Sequence, residues 1–221
     1  MLGQGVYILS EVARLTETNP ARIRWWFKPR SDKAGRGPVF ESDYTPVDGD
    51  FAVSFLDLID TLVVAKLREA GVKMHVIRRA HSALRQRLST EHPFAHSDLY
   101  TDGQEILTRT ATEIGDDKLT GVVSNQGFFI QFKNTLGHVD YSRDTRLARR
   151  WRIVPGIMVD PGIAMGKPTI ENTGVTTLVI SNQYYANSED AGLVADLYGI
   201  TEADVANAVK FESWHGRGRA A

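Results

Sequence analysis

The feature that most restricts how this chain can fold is a pair of amphipathic helices predicted in its first half. Between Phe51 and Ala70, apolar residues recur at positions 55, 58, 59, 62, 63 and 67, and Gly71 supplies a stop. This 3.6-residue period indicates a helix with one buried face. The segment Lys73–Ser89 repeats the pattern, with arginines outside its apolar stripe. Two such stripes must pack against other elements, so we expect a mainly helical core; the second stripe also suits a dimer interface.

Two shorter helices are predicted before this pair. Ser10 is expected to cap a helix over Glu11–Leu15, and Asn19 precedes a second helix over Pro20–Phe27. Asparagine is a good N-cap, and proline at the first helical position lacks only an N–H that would have no partner there. The arrangement is typical of a helix-turn-helix whose second helix enters a DNA major groove. A small amphipathic hairpin with solvated arginines fits the same spacing.

Charge is distributed unevenly along the chain. The first 40 residues hold seven basic and three acidic side chains, a balance of +4, whereas the whole chain has a net charge of −1. A basic segment on an otherwise acidic protein is typical of nucleic-acid binding, although local imbalance is also common on ordinary surfaces. The run Lys33–Gly37 is interpreted as the tip of a basic loop or hairpin. After a helix-turn-helix, such a hairpin would be a wing along the phosphate backbone.

The middle of the chain is predicted to contain strands. Asp102-Gly103 lies between short apolar runs and is a strong signal for a two-residue hairpin. A helix over Asn125–Thr135 and strands over Gly137–Ser142 and Arg149–Val154 are expected to follow. Arginines at 146, 149, 150 and 152 form a second basic patch, for which a charged strand edge that resists pairing is the favoured interpretation.

The last part of the chain is predicted to be a small helical module. Helices are expected over Thr176–Ala186 and over Glu202–Trp214, where Thr201 with Asp204 forms a capping box, and Ser188 is expected to cap a helix between them that reaches Tyr198. The fold class is therefore α+β, mainly α. The expected domains are a winged helix over 1–93, a central hairpin and strand region over 94–155, a small helical domain over 156–215 and a frayed tail over 216–221.

Composition and spacing argue against catalysis and metal chemistry. The chain has no cysteine, so disulfides and thiolate metal sites are excluded. His92 and His96 have helical spacing for two metal ligands, but Pro93 lies between them and breaks a helix. No phosphate-binding glycine loop or nucleophile elbow is found. We therefore expect no catalytic residues, no metal, no cofactor and no enzyme activity.

Targeting signals are also not expected. The apolar run Val6–Leu9 is too short for a signal peptide. The most apolar longer stretch, Phe51–Leu67, contains Asp57, Asp60 and Lys66, which argues against a membrane span. A soluble cytoplasmic protein is the expectation.

Two segments resemble known families. Gly5-Val6-Tyr7-Ile8-Leu9-Ser10-Glu11-Val12-Ala13 followed by Asn19-Pro20-Ala21-Arg22-Ile23-Arg24-Trp25-Trp26 resembles the opening of a MerR-type winged helix. The runs Val159-Asp160-Pro161, Gly166-Lys167-Pro168-Thr169-Ile170 and Tyr198-Gly199-Ile200-Thr201-Glu202 resemble a small helical domain of antitoxins, with Gly174 where that pattern prefers arginine. The two modules in this order resemble VapB-type antitoxins, partners of PIN-domain VapC ribonuclease toxins.

The resemblance implies a homodimer that binds double-stranded DNA at its own operator, represses its operon and holds a toxin inactive. Arg22 is the candidate for base contacts, and Arg24 and Trp25 would lie against phosphates. Further phosphate contacts are expected from Lys28, Arg30, Lys33 and Arg36. Candidates for toxin contact are Arg217 and Arg219 with Trp214, then Arg149 and Arg150. The alternatives are a stand-alone MerR-like regulator without a toxin, and a protein-binding scaffold that does not bind DNA.

Overall fold

A computed structural model describes residues 4–27, 41–45 and 51–216. The chain forms two compact units. The larger runs from Tyr7 to Arg149, and the smaller comprises the first six residues and those from Arg150 onward. Each is mainly helical with short strands, so the predicted α+β, mainly α class is confirmed. The predicted wing residues Lys28, Arg30, Lys33 and Arg36 and the tail residues Arg217 and Arg219 lie outside the described residues.

The larger unit begins with a strand and the two predicted short helices. Strand β1 (Tyr7–Ile8) pairs antiparallel with β2 (Ala52–Val53), and helices α1 (Leu9–Leu15) and α2 (Pro20–Phe27) follow β1. The predicted cap at Ser10 is wrong, because Ser10 lies inside α1. The N-cap is Ile8 instead, and the carboxylate of Glu11, inside the first turn, accepts from the Ile8 N–H at 3.1 Å. The predicted cap of α2 is confirmed, since Asn19 Oδ1 accepts from the Ala21 N–H at 2.9 Å.

The two long helices are present as predicted. Helix α3 (Phe55–Glu69) and helix α4 (Met74–Leu88) are fully formed, and both bury their apolar stripes. Helix α3 starts four residues later than Phe51, because Ala52 and Val53 pair with β1 and Ser54 caps the helix. Ser54 Oγ accepts from the Asp57 N–H at 3.1 Å.

The hairpin predicted at Asp102-Gly103 is wrong. A 3-10 turn (Pro93–Ala95) is followed by four helices: α5 (Ser97–Thr101), α6 (Gly103–Ile114), α7 (Asp117–Val123) and α8 (Gln126–Leu136). Leu107, Ala111 and Ile114 are buried at helical spacing, so packing of α6 outweighs the local turn preference. Gly103 packs closely in this region, since a Cβ there would lie 3.3 Å from the Phe129 ring.

The strands predicted after this helical region are confirmed as β3 (Val139–Tyr141) and β4 (Ala148–Val154). The chain passes from the larger to the smaller unit within β4. In the smaller unit, β4, β5 (Ile157–Val159) and β6 (Thr169–Ile170) form an antiparallel sheet, with Trp151 opposite Val159 and Ile157 opposite Ile170.

Three helices complete the smaller unit, as predicted: α9 (Thr177–Ala186), α10 (Ala191–Tyr198) and α11 (Glu202–Gly216). The capping box of α11 is confirmed by reciprocal hydrogen bonds between Thr201 and Asp204. The cap of α10 is Asp190 rather than Ser188, since its carboxylate accepts from the Leu193 N–H at 2.9 Å. The helices enclose a small core of Ile170, Ile180, Val194, Ala195, Val205 and Ala208.

Because this core is small, truncating one of its larger members should be costly. Ile180 is fully buried, and Ile180→Ala should lower the free energy of unfolding by about 2–5 kcal/mol, through lost burial and the cavity it leaves. Urea denaturation followed by circular dichroism measures the loss. Leu178→Ala on the same helix is the control, because that side chain is 56% exposed and should change stability little. Equal urea midpoints for the two variants would contradict the assignment.

Candidate nucleic-acid interface and a buried histidine–aspartate cluster

Helix α2 separates its side chains into a buried face and an exposed basic face. Ile23, Trp26 and Phe27 are at most 5% exposed and anchor the helix in the larger unit. Arg22, Arg24 and Trp25 lie on the opposite face and are exposed, Trp25 by 55%. All three predicted DNA contacts in α2 are therefore accessible, with Arg22 and Arg24, two residues apart, at opposite edges of the exposed side of the helix, which we call the basic face.

The surroundings of Arg22 leave its charge available. Among the described residues, the Arg22 guanidinium has no carboxylate partner. It borders a cavity of about 320 Å³ that is also lined by Trp25, Arg68 and Arg78 and by two carboxylates, those of Glu17 and Glu69. Three arginines beside an exposed tryptophan favour a phosphate-bearing or aromatic ligand on this side of α2.

A second group of polar side chains, most of them buried, lies in the larger unit. It was not predicted from the sequence. The His92 ring lies between two carboxylates: Nδ1 is 2.9 Å from Asp60 Oδ2, and Nε2 is 3.1 Å from Asp43 Oδ1. Asp57 Oδ1 is 3.9 Å from the same Nδ1. Asp57 and Asp60 are each 1% exposed, and His92 is 7% exposed. These four residues are called the Asp–His cluster below.

Local structure explains how α3 contributes two members of this cluster. Asp57 is the third residue of α3, where its Oδ2 accepts from the Ser54 N–H at 3.0 Å and from the Asp43 N–H at 3.3 Å. Asp60 is one helical turn further on, so both carboxylates share a face of the helix. Within the part of the chain that the structure describes, Asp57 Oδ1 and Asp60 Oδ1 are buried with no hydrogen-bond partner.

The electrostatics of the cluster follow from burial and from these contacts. Burial alone would lower the pKa of His92, but its hydrogen bonds to Asp43 and Asp60 outweigh that effect and raise the pKa to about 10. Burial raises the pKa of Asp57 to about 6. The hydrogen bond to His92 lowers the pKa of Asp43. The cationic imidazole thus lies against the buried carboxyl groups of Asp57 and Asp60 and the more exposed carboxyl group of Asp43.

Only two of the four cluster residues stand out in the sequence. Asp57 and Asp60 interrupt the apolar stripe of α3, and in the sequence analysis they served only as evidence against a membrane span. Asp43 and His92 are distant from them along the chain and meet them only in the fold. The histidine pair considered from the sequence was His92 and His96. His92 belongs to the cluster, whereas His96 Nδ1 accepts a hydrogen bond from the Asp98 N–H at 3.2 Å.

The predicted toxin contacts differ in availability. Arg149 is exposed, but the Arg150 Nε donates to Asp160 Oδ2 at 3.0 Å, so its charge is already paired within the smaller unit. Two other members of the second basic patch are also paired, Arg146 with Asp98 and Arg152 with Glu171. The favoured interpretation of that patch, a charged strand edge that resists pairing, is wrong, because β4 lies between β3 and β5 in the sheet and three of these arginines are held in ion pairs.

The helices of the smaller unit expose several large apolar side chains. Leu178 and Tyr185 of α9, Leu193 and Leu197 of α10, and Trp214 of α11 are 44–64% exposed. The α9 pair is seven residues apart and the α10 pair four, so each pair shares one side of its helix. Exposed apolar surface of this kind marks interaction sites. We call these five residues the apolar face.

Comparison with known proteins gives three findings. A family model described as "Protein of unknown function (DUF433)" matches residues 157–211, which lie in the smaller unit. A protein named "Putative antitoxin VapB45" from Mycobacterium tuberculosis (strain ATCC 25618 / H37Rv) is 26% identical over 224 residues, covering 92% of each chain. The crystal structure of Rv2018 from Mycobacterium tuberculosis superposes with a TM-score of 0.74 at 25% identity, over 92% of this chain and 96% of that one.

The relative and the solved structure thus match both units in sequence and in fold, whereas the family model covers the smaller unit only. In the described part of the chain, no helix combines the length and the apolar character needed to cross a lipid bilayer.

Proposed function

We propose that this protein is the antitoxin of a toxin–antitoxin pair, and that it binds its own operator DNA as a homodimer and neutralises a PIN-domain ribonuclease toxin. The observation that carries the DNA-binding part is the basic face of α2, whose opposite side is buried. The similarity to a protein named as an antitoxin over 92% of both chains supports the toxin-binding part.

In this proposal α2 lies in the major groove. Arg22 contacts a guanine edge, where a bidentate arginine contributes roughly 1–3 kcal/mol of discrimination against other bases. Arg24 and Trp25 contact the backbone, which positions the helix without reading sequence. Lys28, Arg30, Lys33 and Arg36 add phosphate contacts. Four such contacts would give a slope of log affinity against log salt of about −3.6.

Toxin binding is assigned to the smaller unit. Its apolar face supplies the desolvated centre that a stable protein interface requires, with Trp214 and Leu197, the most exposed of its five side chains, as anchors. Arg149, Arg217 and Arg219 remain candidates for contact with the acidic active site of a PIN nuclease. Arg150 is assigned a structural role, because it is paired with Asp160.

Co-expression with the product of the adjacent open reading frame tests the whole proposal. The full-length chain should co-purify with that product and should restore growth that the product alone arrests. Growth arrest without rescue, or no co-purification, would contradict toxin neutralisation. If the protein binds its operator specifically in a gel shift but does not co-purify with that product, a stand-alone regulator is favoured. Both functions use α2, and they differ only in whether a toxin is bound.

The apolar face makes a residue-level prediction for the same assay. Leu197→Asp should reduce toxin capture at least tenfold, because it places a charge in a surface that must be desolvated. Asp196→Ala is the matched control, since Asp196 is the exposed neighbour of Leu197 on α10 and is polar. The measurement is the amount of toxin retained on immobilised protein. If both variants retain equal amounts of toxin, α10 is not part of the toxin interface.

A further inference from the structure

We propose that the Asp–His cluster is a binding site for a divalent transition-metal ion such as Zn²⁺, with Asp43, Asp57 and one ring nitrogen of His92 as ligands. Each of these three residues places one ligand atom within 4.8 Å of the others. The sequence predicts no metal, because Pro93 interrupts the one histidine pair at ligand spacing, His92 and His96. The site described here is assembled from three separate segments of the larger unit.

The distances are close to those of a metal site. Zinc lies about 2.0–2.2 Å from nitrogen and carboxylate ligands, which places neighbouring ligands of a tetrahedral ion about 3.3–3.6 Å apart. His92 Nε2 and Asp43 Oδ1 are 3.1 Å apart. Loss of the proton that His92 Nε2 shares with Asp43, together with small rearrangements of the side chains, would let both atoms bind one ion.

An independent observation at Asp57 points to a missing ligand. Its carboxylate is 1% exposed, and its Oδ2 is occupied by the N–H groups of Ser54 and Asp43. Its Oδ1 is buried without a hydrogen-bond partner among the described residues; it lies 3.9 Å from His92 Nδ1, on the side of the ring that Asp60 holds. An unpaired buried carboxylate oxygen is costly, and a cation beside it would remove that cost.

Asp60 acts as a positioning residue in this site. Its Oδ2 lies 2.9 Å from His92 Nδ1 and accepts the proton there, which directs Nε2 toward Asp43. Metal-binding histidines almost always donate their second ring N–H to a carboxylate or carbonyl in this manner. The same residue thus fixes both the tautomer and the orientation of the ring.

The donor set selects the class of ion. One imidazole nitrogen with carboxylate oxygens suits zinc, manganese or iron, and the chain offers no thiolate that would select copper(I). A divalent cation would also add positive charge beside the two buried carboxyl groups of Asp57 and Asp60 and the exposed one of Asp43. Its binding would link the segment 41–45 to α3 and to the residue preceding the 3-10 turn at Pro93.

The test is a calorimetric titration of Zn²⁺, and separately of Mn²⁺, into chelator-treated full-length protein. We expect saturation of one of these ions at one per chain, accompanied by a higher melting temperature. Asp43→Asn and His92→Asn should each weaken binding at least tenfold. Asp60→Asn should weaken it about 10–100-fold, the usual effect of removing an orienting partner. His75→Asn, which removes an exposed histidine, is the control and should bind as wild type does.

The outcomes separate clearly. The proposal is overturned if neither ion saturates at one per chain, or if Asp43→Asn binds as tightly as His75→Asn. Circular dichroism establishes that each variant is folded. If His92→Asn does not fold, Asp43→Asn decides the question, because the Asp43 side chain is 30% exposed and its replacement keeps an acceptor for His92.

Discussion

The double substitution Arg22→Ala with Arg24→Ala should abolish specific binding to the operator. The loss of one base-reading arginine alone should reduce discrimination by about 1–3 kcal/mol, and the loss of a phosphate contact should weaken binding to every sequence. Both side chains are exposed on α2, so stability should change little. The measurement is a gel shift or anisotropy titration at several salt concentrations, with operator and scrambled duplexes compared at each.

A charge-matched control separates recognition from general electrostatics. Arg109→Ala with Arg143→Ala also removes two exposed positive charges from the larger unit, but from positions away from α2. That variant should lose affinity only slightly and should keep its preference for the operator. If both double variants lose affinity equally, the protein binds DNA through its overall field. If neither does, α2 does not enter the groove, and the scaffold alternative is favoured.

The single substitutions divide the two roles. Arg22→Ala should relax preference for the operator while leaving binding to scrambled DNA nearly intact. Arg24→Ala should instead weaken both to a similar extent and make the salt slope shallower by about 0.9. The reverse pattern would exchange the roles of the two arginines without removing α2 from the interface.

The second large effect is expected at the centre of the Asp–His cluster. His92→Ala should lower the free energy of unfolding by about 3–5 kcal/mol, because it leaves the carboxylates of Asp57 and Asp60 buried without their counter-charge. The measurement is urea denaturation in the presence of a chelator, so that bound metal cannot contribute. His75→Ala, at an exposed histidine, should shift the midpoint little.

A second substitution distinguishes electrostatics from packing. Adding Asp60→Asn to His92→Ala removes one of the unpaired charges and should restore part of the lost stability, so the two substitutions should not be additive. The opposite outcome is additivity, in which Asp60→Asn destabilises the His92→Ala variant as much as it destabilises the wild type. The stability lost in His92→Ala would then come from the cavity that the missing ring leaves. In that case charge pairing contributes little to this part of the core.

Much of the helical architecture could be predicted because helices depend on contacts within a few residues. The stripes of α3 and α4, the cap at Asn19 and the capping box of Thr201 with Asp204 all involve neighbours along the chain. The exposure of Arg22, Arg24 and Trp25 follows in the same way from the burial of Ile23, Trp26 and Phe27 at helical spacing. These features were predicted correctly because local geometry was sufficient.

Long-range packing decided the rest. Asp102-Gly103 has the local preference of a hairpin, but burial of one face of α6 makes Asp102 the N-cap and Gly103 the first residue of that helix. Arg150 is paired because Asp160 lies opposite it across the sheet of the smaller unit, which no local pattern shows. The Asp–His cluster joins positions 43, 57, 60 and 92, and only the packed chain brings them within hydrogen-bond distance. The sequence alone determined the helices and the face that α2 exposes, since these depend on near neighbours. The tertiary structure decided which charges are buried together, because that depends on contacts between distant segments.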